Sequence, residues 1–513
     1  MPTASSRFFR ALADPASFAL TFELVPSRGG RSREHTRALE FARHAAADGR
    51  LQAVSITENA GGHAALSPEV LGTEIRDLGL EIIVHLSCKD KNRNQMESQL
   101  FAWDRLGLRN LLVITGDYPK PGYRGLPKPV FDLDSVHALD LISRMNRGDF
   151  NRDGESGPLR IQPTNFVKGV ALSPFKRSEA ELLMQYYKLH RKAAAGADFI
   201  ITQVGYDARK FHEVLLYLRE HGLGHLPVLG NVFIPNLAVA EFMYRGGIPG
   251  CVLTEPLYRQ IKEEAAAPDR GKGARLERAA KLLAILKGLG YAGAHLGGPG
   301  LSFADIALVL DRAEALAGDW QSLIPEISHW HPDGFYYYRK QPIVGLNLPD
   351  PAPRPPGRRL IPAYAAAQAV HRIAFAPTGP LFKSMSRLCL AWDNGRLGPY
   401  LSHLEHLLKF IAFGCRNCGD CTLSELAFIC PQSACAKYLL NGPCGGSRDG
   451  WCEVYPGRKR CLYVLIHERL KAGKRLGTMR CGLIPPRNWS LNNTSSWVNY
   501  FRFLDHTGGP ERR

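Results

Sequence analysis

The sequence predicts an α/β chain: a (β/α)8 barrel followed by a smaller, cysteine-rich α+β domain. Three observations point there. Between residue 18 and about residue 310, short apolar runs alternate eight times with amphipathic stretches. One run, LLVITGDYP at Leu111–Pro119, is apolar or β-branched until Gly116, a carboxylate and Pro119 stop it, as a strand buried on both faces reads. Eight of the twelve cysteines lie between Cys415 and Cys461.

Taken in order, the strand candidates are Thr21–Pro26, Ala53–Asn59, Glu81–Cys88, Leu111–Asp117, Val167–Ser173, Phe199–Tyr206, Val228–Ile234 and Ala292–Gly297. Helical candidates fall between them. Glu34–Asp48 shows an apolar face at Leu39, Phe41 and Ala42, and Glu179–Ala195 shows one at Leu182, Leu183, Tyr186 and Leu189. The alternative, a doubly wound open sheet, wants a GxGxxG loop after its first strand, and this strand ends ELVPSRGG. A long connection, Tyr118–Leu159, follows the fourth strand, with polar segments flanking the helical candidate DSVHALDLISRM. The expected division is a barrel over 1–324, a Pro-rich linker over 325–362, a cysteine-rich domain over 363–480 and a tail over 481–513. Within the second domain, Leu401–Phe413 and Leu462–Lys471 read as helices.

At 513 residues the chain exceeds one ordinary core. It has no run of 18 apolar residues, and its N-terminus does not read as a secretory signal, so a cytoplasmic protein without membrane contact is expected. Net charge is +17, with local concentrations at Arg354–Arg359, Arg458–Arg460 and Lys471–Arg475. No basic stretch is interleaved with aromatics, which argues against nucleic acid and for a solvated basic surface, with a polyanionic ligand second.

In a barrel of this kind the carboxyl ends of the strands carry the chemistry. Polar residues gather there: Glu23, then Thr57, Glu58 and Asn59, then His85, Asp117 and Gln203. Each alone could be structural, and Asp117 could simply cap the next helix. Together around one mouth they favour an active site.

The pieces TFELVP, VSITENAG, VHLSC, TGDYP and RKAAAGADFIITQ, in this order over residues 18–310, resemble the flavin-dependent methylenetetrahydrofolate reductases. The resemblance implies reduction of 5,10-methylenetetrahydrofolate to 5-methyltetrahydrofolate in one-carbon metabolism. FAD or FMN would lie across the strand ends with folate stacked on it, and NAD(P)H or another donor would supply electrons. It implies Glu23 as the general acid. Thr57, His85, Gly116, Asp117, Arg191 and Lys192 would be flavin contacts, and Asp117 and Gln203 would reach the folate. Three departures stand out: Thr115 where the family often has arginine, Leu172 where an aromatic contacts the flavin, and HLGGPG where Asn-Arg is expected.

The chemistry is consistent with those roles. A carboxylic acid must protonate the departing nitrogen, which suits Glu23 if burial raises its pKa. Asp117 can stabilise an iminium charge and tune the flavin. Gln203 can both donate to and accept from a pterin. Running the same step oxidatively in methyl-group catabolism is one alternative; a non-catalytic folate- or flavin-binding scaffold is another.

The second domain carries Cys415, Cys418 and Cys421 as CRNCGDC, then Cys430 before a proline, Cys435, Cys444 in NGPCGG, Cys452 and Cys461. Three thiols in seven residues followed by Cys-Pro favour iron–sulfur ligation, and eight suffice for two four-thiolate clusters. Zinc is the alternative. The segment over 363–470 resembles the C-terminal module of some bacterial methylenetetrahydrofolate reductases and the small partner subunit of acetogen-type reductases. An electron-donor protein and a homo-oligomer are expected as partners.

Overall fold

The computed structural model describes residues 6–150, 159–357, 361–393, 395, 398–479 and 482–508. Eight strands close into an all-parallel barrel: β1 (Ala19–Leu24), β2 (Ala53–Ile56), β3 (Glu81–Ser87), β4 (Asn110–Ile114), β5 (Val167–Leu172), β6 (Phe199–Thr202), β7 (Val228–Phe233) and β8 (Gly293–Gly297). Neighbours in sequence are neighbours in the barrel, and β1 closes on β8 with Thr21 opposite His295. All eight strand candidates are present, and all but the last, which ends at Gly297 as read, end earlier than their candidate runs because the residues at the mouth turn out of the ladder.

Helices wrap the barrel: α1 (Arg7–Ala13), α2 (Arg33–Asp48), α3 (Pro68–Arg76), α4 (Arg93–Leu106), α5 (Ser135–Arg147), α6 (Glu179–Ala194), α7 (Ala208–Glu220), α8 (Leu237–Tyr244), α9 (Glu255–Glu264), α10 (Lys272–Leu289) and α11 (Phe303–Leu316). Their starts follow local chemistry. Ser32 accepts from the His35 N–H at the start of α2, and Asp134 forms a capping box with His137 at α5. The main core lies between strands and helices. A second cluster fills the amino end of the barrel, where α1 drives Phe8 edge-on against Phe199, with ring centroids 5.4 Å apart. That end is closed by packing, so chemistry is left to the opposite end.

The stretch read as a linker is structured through its first half. Strands β9 (Tyr338–Lys340) and β10 (Asn347–Pro351) pair antiparallel. Buried Tyr338 donates its hydroxyl to Glu220, and Lys210 on α7 donates to the Phe335 carbonyl at 2.7 Å. Arg358, Arg359, residues 151–158 of the long connection and Cys481 lie outside the described residues.

The second unit has α12 (Pro362–Val370), α13 (Phe382–Asp393), α14 (Gly398–Phe413), the single turn α15 (Pro431–Ala434), α16 (Leu462–Ala472) and α17 (Ser496–Phe501). It sits on the barrel mouth. The Asn441 N–H donates to Asp134 at 2.9 Å, and Lys176 donates to the Ser447 carbonyl at 2.7 Å. The Gly450 N–H donates to Glu181 at 3.0 Å, and α16 packs on α6. Residues after Cys481 wrap back over this unit: the Ile484 N–H donates to Asn441, and His506 pairs with Asp420. Among the described residues no helix is long and apolar enough to cross a membrane.

Candidate active site and cysteine cavities

Glu23, the fifth residue of β1, is partly exposed at the mouth. Beneath it lies a buried polar layer from neighbouring strands. His295 places Nε2 3.7 Å from the Glu23 carboxylate and Nδ1 2.8 Å from the Thr21 hydroxyl. His85 on β3 places Nε2 2.6 Å from the Ser55 hydroxyl. Burial pushes His85 down to about 4, so it is neutral near pH 7. For Glu23 the condition placed on its role as an acid, a pKa raised by burial, is not met in the free protein. Burial does act upward, but the His295 contact and the positive potential of His85 and His295 outweigh it, and the carboxyl lies below its ordinary value. With His85 neutral, the His295 contact is the cause that persists near neutral pH.

Past β4 the chain turns at Gly116, whose φ of +85° suits glycine. A Cβ there would stand 2.1 Å from the Ser87 hydroxyl oxygen, so glycine is required on steric grounds as well. The turn presents Asp117, which accepts from the Gly61 N–H at 2.9 Å. Asp117 does not cap the following helix; Asp134 does. Burial raises the Asp117 pKa; Lys437 and the Gly61 N–H oppose the rise, and Glu453 adds to it. Gln203 follows β6, anchored by its backbone N–H to the Leu172 carbonyl at 2.6 Å. Thr57 is buried, and its hydroxyl has no hydrogen-bond partner among the described residues.

Glu23, Thr57, His85, Gly116, Asp117 and Gln203 therefore share one mouth. Arg191 and Lys192 come from α6 behind it. Arg191 donates to the Asn441 side chain at 2.9 Å, so the second unit engages it. Lys192 donates to the Ala171 carbonyl at 2.5 Å, and burial pushes its pKa down to about 7. Lys188, which sequence reasoning passed over, places Nζ 3.3 Å from the Thr115 hydroxyl, bringing a cation to the position where the resemblance leads one to expect arginine. His295 was also missed: a lone histidine in HLGGPG carries no spacing signal until β8 closes beside β1.

The eight clustered cysteines divide into two sets. Cys415, Cys418, Cys421 and Cys430 line one cavity; Cys435, Cys444, Cys452 and Cys461 line another. Each cavity contains one buried lysine paired with a glutamate: Lys409 with Glu405 at 2.8 Å in the first, and Lys437 with Glu453 in the second. Lys409 Nζ is also 3.6 Å from the Cys421 sulfur. Burial pushes the Cys415 thiol up to about 11 and the Cys461 thiol up to about 12. Such thiols ionise when a bound metal compensates their charge. Among the described residues, the three potential ligands whose donor atoms lie within 4.8 Å of one another are Asp420, Asp505 and His506, a set with no cysteine. Burial lowers the His506 pKa, but Asp420 and Glu425 outweigh it and raise it to about 10, and Nδ1 pairs with Asp420 at 2.7 Å.

Comparison with known proteins follows this division. Residues 8–296 match the family model described as methylenetetrahydrofolate reductase, and residues 398–490 match the one described as methylene-tetrahydrofolate reductase C terminal. Methylenetetrahydrofolate reductase 2 of Saccharomyces cerevisiae is 29% identical over 198 residues, covering 38% of this chain and 30% of the yeast protein. Methylenetetrahydrofolate reductase 1 of Schizosaccharomyces pombe is 25% identical over 249 residues, 46% of this chain and 37% of its own. The 5,10-methylenetetrahydrofolate reductase of Pectobacterium carotovorum is 28% identical over 160 residues, 31% of this chain and 46% of its own. The match thus spans less than half the length of each of these relatives.

Proposed function

The chain belongs to the methylenetetrahydrofolate reductase family, and from that premise we propose that it catalyses flavin-dependent reduction of 5,10-methylenetetrahydrofolate to 5-methyltetrahydrofolate. The observation that carries the reading is the placement of Glu23 on β1, Asp117 just past β4 and Gln203 just past β6 at the carboxyl end of a barrel whose other end is packed shut.

The residues present suit a flavin. The buried Thr57 hydroxyl has no partner among the described residues, the Gly116 turn excludes a side chain, and Lys188 and Lys192 are buried amines that an anionic group would favour in their charged form. Thr57, His85, Gly116, Asp117, Arg191 and Lys192 would hold it. Bound there, a flavin supplies the hydride. The protein's own part is binding and proton handling. Gln203 holds the pterin by its amide, and Asp117 offers negative charge to the iminium that forms when the ring opens. The Glu23 carboxyl delivers a proton to the departing nitrogen. Glu23 is ionised in the free protein, so it must take up that proton as substrate covers the mouth; His295 Nε2 is the nearest titratable neighbour.

Each cysteine cavity would take an iron–sulfur cluster held by four thiolates, Cys415, Cys418, Cys421 and Cys430 in one and Cys435, Cys444, Cys452 and Cys461 in the other. We propose that electrons from a donor protein pass through these two sites to the barrel. The test of the function is anaerobic: purify the protein, take its spectrum, and assay conversion of methylenetetrahydrofolate by Glu23→Gln beside the parent. A colourless protein, or equal folate turnover in both, overturns the reading.

A further inference from the structure

Lys437 belongs to two places at once. Its side chain is buried, it pairs with Glu453 in the wall of the second cysteine cavity, and its ammonium donates to the Gly116 carbonyl at 2.7 Å. The Gly116–Asp117 turn is thus fixed from two sides, by the Ser87 hydroxyl packed against the Gly116 α-carbon and by a lysine from another part of the chain. The units also meet through side chains elsewhere, as in the Lys471–Glu179 ion pair, and through contacts to backbone alone. Lys176 and Arg448 end on backbone carbonyls, of Ser447 and Tyr244. Lys437 and Glu453, in contrast, both act on the Asp117 carboxyl, with opposite sign.

We propose that Lys437 is a positioning residue of the barrel site, holding the Gly116–Asp117 turn and setting, with Glu453, the electrostatic potential at whatever redox group binds there. The inference rests on the flavin reading above. Reduction of a flavin adds negative charge, so a nearby buried cation stabilises the reduced form and a nearby carboxylate opposes it. A lysine serving only as a mechanical clamp would have no such signed effect. The barrel would also be incomplete without the cysteine-rich unit.

The experiment is an anaerobic redox titration of the full-length, flavin-loaded protein and its Lys437→Met, Lys437→Arg and Glu453→Gln variants, following flavin absorbance. Lys437→Met should shift the two-electron equilibrium at least tenfold towards the oxidised form, ~30 mV downward. Glu453→Gln should shift it the other way, and Lys437→Arg should stay near the parent. Loosening of the interface would move both neutral variants in the same direction. Shifts of the same sign, or none in either variant, overturn the proposal. A parent protein that takes up no flavin instead overturns the flavin reading on which it rests.

Discussion

The Glu23 carboxylate lies 3.7 Å from Nε2 of His295, a contact made only because β1 and β8 close the barrel side by side. It opposes burial at the proposed acid: burial acts to raise the Glu23 pKa, and the histidine contact helps keep the carboxyl below its ordinary value.

Replacing His295 with asparagine removes that restraint and leaves burial, which acts upward, so the Glu23 pKa should rise. An acid works only while protonated, so the falling alkaline limb of kcat/KM should move to higher pH in His295→Asn. A pH–rate profile checks this; an unmoved limb would mean that His295 does not govern Glu23.

Glu23→Gln keeps the shape of the side chain and loses the proton. Flavin content should be unchanged, and the folate half-reaction should slow by about 10²–10⁴, the usual range for a lost general acid. Flavin reduction should proceed as before, because it does not need this proton. Stopped-flow measurement of each half-reaction separates the two effects.

Asp117→Asn removes a negative charge from the turn after β4. The flavin potential should rise, because the reduced form becomes easier to make, and folate turnover should fall as the iminium loses its counter-charge. An unchanged potential in a redox titration would place Asp117 away from the flavin.

Changing Cys418 to serine removes one thiol from the first cavity. Iron content should fall while the second set, Cys435, Cys444, Cys452 and Cys461, keeps its share. The loops that close the first cavity should lose protection from hydrogen exchange, since bound metal supplies folding energy. Stoichiometric zinc without iron in the anaerobically prepared parent would remove the electron-transfer role.

Much of the barrel was legible because strands buried on both faces read as unbroken apolar runs, and the polar residues that end them mark the mouth. What escaped depends on closure and docking. His295 becomes meaningful only beside β1. Cys430 and Cys435 are five residues apart yet line different cavities, so the grouping of thiols could not be taken from their spacing. Lys437 and Asn441 look like ordinary polar residues until the second unit settles on the mouth. Whether burial would raise the Glu23 pKa was hidden for the same reason, since His295, whose contact lowers it, comes from β8.

The most direct test mixes anaerobically reduced, flavin-loaded protein with methylenetetrahydrofolate and no other electron acceptor, following flavin absorbance and product together. The account predicts reoxidation of the flavin with one 5-methyltetrahydrofolate formed per flavin. A flavin that stays reduced, with the substrate recovered intact, would contradict it.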